Sequence, residues 1–321
     1  MQSDFSDREI QGIQLAALKD QLPQVLKHIF GTSARLVGHK IANHSQDYWV
    51  LIIRLQHPSI KAVIKLAGPN ASMASSFERT AMLNRLVTTQ TSIPMPEIYA
   101  VDTSFAAWPW RYLVSAHISG HEWAVVQPQL TGSELNAAYH QIGSAVAQLH
   151  SIRFPGFGEL EADGSVSSPG SFISALAEHA DRIIKSTRLA ALYRNLLDDH
   201  KDLFSSLTQA ALCHEDLHQH NILFRKRRGS WQLATILDFD KAWAGNHEVD
   251  LARMEFWHMT ACREFWSAYN SIHQLGSNYE QRCPIYQLLW CFEYAQMTPA
   301  HLAHTRQLCA RLGLPQIDSF A

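Results

Sequence analysis

The apolar pattern of this chain changes period part-way along, and that change restricts the fold more than any other feature. Ala34 to Ile41, Tyr48 to Leu55 and Ile60 to Leu66 are short runs rich in β-branched and aliphatic residues, set apart by Asn43-His44-Ser45 and His57-Pro58-Ser59. Such runs between turn-forming residues predict successive antiparallel strands. Before them, Ile10, Ile13, Leu15, Leu18, Leu22, Val25, Leu26 and Ile29 recur at helical spacing and predict a helix over 8–30, interrupted by Pro23. After them, Phe77, Met82, Leu83, Leu86 and Val87 predict a second helix, ended by Ile93-Pro94-Met95-Pro96. Ile98 to Asp102 and Arg111 to Ile118 then complete a five-stranded sheet.

From Gly120 onward the composition turns helical. Residues 133–151 predict a buried helix capped by Ser133, the Gly-, Pro- and Ser-rich stretch FPGFGELEADGSVSSPGS a loop, and 171–209 helix again. Short strand-like segments interrupt this at Ala211 to Cys213, Ile222 to Phe224 and Leu233 to Leu237, the last two joined by the basic turn Arg225-Lys226-Arg227-Arg228-Gly229. That turn reads as a solvated hairpin tip. Beyond Asp250 the pattern is mainly helical. The expected class is therefore α+β in two lobes: a five-stranded antiparallel lobe over 1–117 and a larger, mainly helical lobe over 118–321.

Composition narrows the partners. With 27 Lys and Arg against 29 Asp and Glu, the formal charge of −2 lacks the basic excess that drives binding to nucleic-acid phosphates. No run of eighteen apolar residues escapes interruption by charge, so no conventional transmembrane helix is expected. The opening MQSDFSDREI is acidic and polar, and the five cysteines form no CxxC pair. Both point to a protein that works in the reducing cytoplasm on a small molecule. Oligomeric state is left open.

Two readings compete for His214-Glu215-Asp216-Leu217-His218-Gln219-His220. One is HExxH, in which two histidines a helical turn apart hold Zn²⁺ and Glu215 activates water. That motif needs a long helix, whereas strand-like segments flank this one. The other reading takes His214-x-Asp216-x-x-x-x-Asn221 as a catalytic loop, followed by Asp238 at the end of Ile236-Leu237. Phosphoryl transfer needs these types at this spacing: one carboxylate to orient an acceptor hydroxyl, and an amide oxygen and second carboxylate to converge on Mg²⁺. The other half of such a site is a lysine on the third strand and an acid on the next helix. Lys65 lies in Ala62-Val63-Ile64-Lys65-Leu66, and Glu78 lies in Ser76-Phe77-Glu78-Arg79-Thr80.

In this order, the set resembles the aminoglycoside phosphotransferase and choline kinase family, small-molecule kinases with a bilobal protein-kinase-like fold. The resemblance covers roughly residues 30 to 300. LCHEDLHQHNILF is similar to the family's His-Gly-Asp-x-x-x-x-Asn loop, and ILDFDKAWAGNHEVDLA to its metal-binding strand and Asp-Leu-Ala. Ile93-Pro94-Met95-Pro96, the helix end Ala147 to His150 and FPGFGEL are softer similarities. The resemblance implies that Asp216 positions and deprotonates the acceptor hydroxyl and that Asn221 and Asp238 ligate Mg²⁺. It further implies that Lys65, paired with Glu78, holds the ATP phosphates, with adenine along Ser115 to Ile118 on backbone groups of Ala116 and Ile118. GTP stays open beside ATP.

By the same resemblance, His214 would hold the loop through backbone bonds and Asp250 would brace it. The acceptor would be an aminoglycoside or other antibiotic, a sugar or an amino alcohol; an antibiotic acceptor would make this a resistance enzyme. Asp240, Glu248 and Glu255 could present negative charge to it. Trp243, Trp257, Trp266 and Trp290 could stack on it, although tryptophans at irregular spacing more often fill a core. Two departures stand out. Glu215 occupies the family's glycine position and is expected to point to solvent, and the turn from Ile41 to Asp47 has no glycine, leaving Asn43 and Ser45 for phosphate contacts. A non-catalytic kinase-like ligand-binding module is the alternative, with the zinc hydrolase third.

Overall fold

A computed structural model describes residues 9–10, 13–44, 48–68, 71, 76–106 and 108–321. Two compact units emerge, Met1–Thr88 with Pro94–Ser119 and Thr89–Ile93 with Gly120–Ala321. Ser45, named above for phosphate contact, lies outside the described residues, as do Gln46, Asp47 and the first eight residues.

In the first unit, β1 (Glu9–Ile10) and β2 (Ile13–Gln14) form a small antiparallel pair, so α1 (Leu15–Phe30) begins later than the apolar spacing predicts. It also runs through Pro23 without ending there. Proline removes one backbone bond and crowds the preceding turn, but Leu22, Val25 and Leu26 bury one helix face on the sheet. Burial of about 1.5–3 kcal/mol for each such side chain outweighs the local preference. Next come β3 (Arg35–His44), β4 (Trp49–Gln56), β5 (Ile60–Ala67), α2 (Phe77–Gln90), β6 (Ile98–Asp102) and β7 (Arg111–Ala116). The strands form one antiparallel sheet in the order β3-β4-β5-β7-β6.

Alternation assigns each face of that sheet a partner. Trp49, Leu51, Ile53 and Leu55 of β4, Ala62, Ile64 and Leu66 of β5, and Tyr112 and Val114 of β7 join the core with α1. Ala67 and Leu113 look the other way and pack with Phe77 at the start of α2. Lys65, odd-numbered like Ala67 and paired across the ladder with Leu113, belongs to the α2 face.

The second unit runs β8 (His121–Glu122), α3 (Trp123–Val126), α4 (Gly132–His150), β9 (Arg153–Phe154), β10 (Phe157–Leu160), β11 (Val166–Gly170), α5 (Phe172–Ile183) and α6 (Thr187–Asp199). β12 (Ala210–Cys213), β13 (Ile222–Arg227), β14 (Ser230–Ile236), β15 (Trp243–Gly245), α7 (Glu248–Phe256), α8 (Arg263–Asn270), α9 (Tyr279–Tyr294) and α10 (Pro299–Arg311) follow. Three corrections arise here. The cap of α4 is Thr131 rather than Ser133. The helical stretch 171–209 is broken where Ser186 accepts the Leu189 N–H and starts α6. Within the expected loop after α4, β9, β10 and β11 join β12 and β15 in a sheet of order β11-β10-β15-β12-β9. These strands carry turn residues, so neither their period nor their composition announces them; pairing with the buried β12 and β15 makes them strands. Close approach there requires Gly245, where an added Cβ would lie 2.7 Å from the Trp243 ring.

β13 and β14 form a hairpin whose register sets Ile222 opposite Ile236. Its tip is Arg228-Gly229, both at positive φ, which matches the right-handed twist of a two-residue turn. Lys226, Arg227 and Arg228 are exposed, as a solvated tip would be, while Arg225 is half-buried. Among the described residues no helix is long and apolar enough to cross a membrane.

Candidate active site

The loop between β12 and β13 is built around buried Asp250. Its Oδ2 accepts the His214 N–H (2.7 Å) and its Oδ1 accepts the Glu215 N–H (2.8 Å), so one carboxylate fixes two successive peptides. His150, at the end of α4, donates Nε2–H to the same Oδ2 at 3.1 Å, and its Nδ1 accepts from the Tyr269 hydroxyl at 2.8 Å. Burial alone would raise the Asp250 pKa. The His150 hydrogen bond and the loop N–H groups outweigh burial and hold it below the usual carboxylate range.

His214 is fully buried. Its Nε2–H donates to the Leu237 carbonyl (2.9 Å), and its Nδ1 accepts the Asp216 N–H (3.2 Å). Those partners select the neutral tautomer, because a second ring proton would face the Asp216 N–H. Burial pushes its pKa down, in the same direction. The imidazole thus ties the loop to the strand end that carries Asp238.

This geometry overturns the HExxH reading. Residues 214–221 form no helix, both nitrogens of His214 are engaged, and His218 Nδ1 accepts the His220 N–H at 3.2 Å. Among the described residues no group of three His, Cys, Asp or Glu side chains could hold a metal ion.

The Asn221 Nδ2 donates to the Asp216 carbonyl at 3.0 Å and lies 3.4 Å from Asp216 Oδ2. With Nδ2 so engaged, Oδ1 is the side-chain atom of Asn221 able to serve as an oxygen donor. Leu237 N–H donates to the Asn221 carbonyl at 2.8 Å, which sets the chain on either side of the hairpin together just before Asp238. Asp238 adopts φ 66° and ψ 63°, a left-handed turn that ends the extended run of β14.

Asp216 has two cations, Arg253 and Lys241, and an imidazole beside it that the sequence reading missed. Its Oδ1 lies 3.3 Å from Arg253 Nη2 and 3.6 Å from Lys241 Nζ, and its Oδ2 lies 3.7 Å from His218 Nε2. Burial would raise the Asp216 pKa, but His218, Lys241 and Arg253 outweigh it and hold the carboxyl well below its ordinary value. Glu293 on α9 completes the network, accepting from Lys241 (2.7 Å) and Arg253 (3.1 Å). Arg253 is one helical turn beyond Asp250, a spacing that puts it on the same side of α7. Glu293 has no sequence signal comparable to it.

Glu215 contradicts the expectation that it points to solvent. It is 3% exposed, and its Oε2 accepts the Trp243 Nε1–H at 2.8 Å. The nominated acids also find internal partners. Glu248 is fully buried and held by both Nε (2.7 Å) and Nη2 (2.6 Å) of Arg282; Glu255 accepts the Tyr279 hydroxyl at 2.7 Å. Asp240 sits half-buried in the short turn after Asp238. Trp243 and Trp290 are buried core residues, Trp266 is half-buried, and Trp257 is 37% exposed.

In the first unit, the Lys65 ammonium lies 4.8 Å from the centre of the Tyr48 ring. Glu78 occupies the first turn of α2, where Ser76 Oγ accepts the Arg79 N–H at 3.1 Å, and its carboxylate accepts from the Thr103 hydroxyl. Ala116 N–H donates to the Glu97 carbonyl (2.8 Å), and His117 N–H to the Lys61 carbonyl (3.0 Å). Of the backbone groups expected to meet adenine, the Ala116 N–H is therefore committed within the sheet.

The family model of the phosphotransferase enzyme family matches residues 44–284. Solved structures with similar folds include a protein from Thermobifida fusca assigned as a fructosamine-3-kinase, with TM-score 0.65, 16% identity, and coverage of 91% of this chain and 98% of that one. A thermostable mutant of the aminoglycoside phosphotransferase APH(4)-Ia, in ternary complex with AMP-PNP and hygromycin B, gives 0.60, 16%, 91% and 97%. Plasmodium vivax ethanolamine kinase gives 0.55, 15%, 96% and 91%. At these identities the likeness shows the fold, which is protein-kinase-like. The match spans more than half of the residues and includes the whole loop from His214 to Asn221, and the chain belongs to the phosphotransferase enzyme family.

Proposed function

We propose that this enzyme moves the γ-phosphate of ATP, with Mg²⁺, to a hydroxyl of a small molecule. The observation that carries the reading is the gathering of Asp216, Asn221 and the Asp238 turn at the head of one hairpin, on a loop fixed by Asp250. Asp216 orients the acceptor hydroxyl and takes its proton. Asn221 and Asp238 offer hard oxygen donors of the kind Mg²⁺ selects, and a site with few protein ligands suits an ion that keeps water and phosphate oxygens. When bound, the ion neutralises charge on the transferring phosphoryl group. Lys65, paired with Glu78, holds the nucleotide phosphates, and adenine meets the Ala116 carbonyl and the Ile118 N–H. A nucleotide analogue accompanies one of the similar folds, which supports nucleotide use here. Five free cysteines suit work in the cytoplasm, where ATP is supplied.

Catalysis by such parts is positional and electrostatic. The two cations beside Asp216 bear on the acceptor. A hydroxyl seated on that carboxylate comes within reach of Lys241, whose side chain is 40% exposed, while Glu248, Glu255 and Glu293 already have internal partners. Neutral sugars and other uncharged hydroxyl compounds fit these surroundings better than polycationic aminoglycosides. In an assay of phosphate transfer from radiolabelled ATP with Mg²⁺, kanamycin is expected to show a kcat/KM about tenfold or more below that of the best neutral acceptor in a panel of sugars and polyols. A preference for kanamycin would reverse the acceptor assignment. Absence of transfer to every acceptor, together with absence of ATP hydrolysis, would favour the non-catalytic ligand-binding reading.

A further inference from the structure

The residue between His214 and Asp216 adopts φ 63°, the left-handed region in which a side chain is strained and glycine is not. This chain nevertheless carries glutamate there, and buries it. Backbone geometry alone would favour glycine, so the carboxylate must act on something. Its contacts show what. Oε2 accepts the Trp243 Nε1–H at 2.8 Å, and Oε1 lies 3.6 Å from Arg253 Nη1 and 3.8 Å from His179 Nε2. The Glu215 carbonyl also accepts from Arg253 Nη1. His179 is stacked on Trp243 with ring centres 4.3 Å apart and planes within 4°, and its Nδ1 meets Glu159 Oε1 at 3.0 Å.

Arg253 is the link to the chemistry. It is 5% exposed, with Nη1 turned to Glu215 and Nη2 lying 3.3 Å from Asp216 Oδ1 and 3.1 Å from Glu293 Oε2. A planar guanidinium has a fixed fork, so an anion on one arm sets where the other arm points. Resting on the phosphotransferase reading above, we infer that Glu215 is a positioning residue: it anchors the Nη1 arm of Arg253, so that the Nη2 arm meets Asp216 at Oδ1 and sets the orientation in which that carboxylate faces the acceptor hydroxyl. Without the Glu215 charge, Asp216 and Glu293 are the anionic partners left to Arg253, and its Nη1 arm keeps only the Glu215 carbonyl, so the guanidinium shifts and the Asp216 carboxylate shifts with it. Trp243 and His179 hold the Glu215 carboxylate in place through their N–H groups.

The test uses the whole chain and reads hydrolysis of MgATP, in which water takes the acceptor's place, so no acceptor need be known. Glu215→Gln keeps an oxygen for Trp243 and removes the charge, whereas Glu215→Gly removes both and restores a residue suited to the backbone. The expected result is a fall in kcat of about tenfold for Glu215→Gly and less for Glu215→Gln, with KM for MgATP within about twofold of wild type, since misplacement near the reacting atoms is what is lost. On an Arg253→Lys background, Glu215→Gln should add little further loss, as expected for residues acting through one contact. Wild-type kcat in Glu215→Gln, or losses that multiply independently with Arg253→Lys, would overturn the inference. Asp216→Asn is the control. If it too leaves hydrolysis unchanged, the catalytic reading fails; if it abolishes hydrolysis while Glu215→Gln does nothing, only the positioning role fails.

Discussion

Asp216→Asn is expected to lower kcat for phosphate transfer by about 10²- to 10⁴-fold, with KM for ATP nearly unchanged, as when a positioned proton acceptor is removed. The substitution is close to isosteric and keeps the backbone contacts that shape the loop: the Asp216 N–H still donates to His214 Nδ1 at 3.2 Å, and the Asp216 carbonyl still accepts from Asn221 at 3.0 Å. What changes is charge. The amide cannot accept the hydroxyl proton, and Arg253 and Lys241 lose an anion 3.3 and 3.6 Å away. Steady-state kinetics with the best acceptor checks this, with circular dichroism to confirm the fold. A loss confined to KM would assign Asp216 to binding instead.

The largest expected effect on stability lies away from the reacting groups. Arg282→Met is predicted to cost about 3–5 kcal/mol, because it leaves a buried carboxylate without its counter-ion. Glu248 is fully buried, and Arg282 meets both of its oxygens, at 2.7 and 2.6 Å. The Gly276 N–H (3.2 Å) and the Tyr286 hydroxyl (3.3 Å) complete the shell without supplying charge. Arg282 also donates to the Leu203 carbonyl at 2.8 Å, so α7, α9 and the segment before β12 are joined through one side chain. Urea unfolding of the two proteins measures the difference. Replacing both partners, as in Glu248→Leu with Arg282→Met, should recover part of it, since no buried charge then remains. A loss below about 1 kcal/mol in the single variant would mean that the pair is solvated.

Glu248 also shows what a sequence conceals. As a member of an acid-rich stretch it is indistinguishable from a substrate-binding carboxylate, and only its burial against Arg282, distant in the chain, decides the matter. The five-stranded antiparallel sheet was legible because its β-branched and aliphatic runs are set apart by turn residues and its central strands alternate, as β4 does with Trp49, Leu51, Ile53 and Leu55. The bracing role of Asp250 was legible too, through its place in Asp-Leu-Ala, and the structure finds it bonded to two loop N–H groups. β9, β10 and β11 were not legible, because their strand state depends on pairing with buried neighbours rather than on their own residues. Arg253, Lys241 and Glu293 were missed for a related reason: a charged residue that tunes another has no fixed spacing from it. Glu215 was misplaced because solvent is the ordinary destination of a glutamate. Its positive φ was implicit in the family's glycine, but its partners Trp243, Arg253 and His179 come from separate elements.

The reading of Asp216, Asn221 and Asp238 as a Mg²⁺-dependent phosphotransfer site is tested most directly by calorimetric titration of ATP onto wild-type enzyme and Asp238→Ala, each with Mg²⁺ and with EDTA. The expected result is ATP affinity at least about tenfold higher with Mg²⁺ in the wild type, a gain that Asp238→Ala abolishes while its affinity in EDTA matches wild type. Equal Mg²⁺ enhancement in both proteins, or none in either, would contradict it.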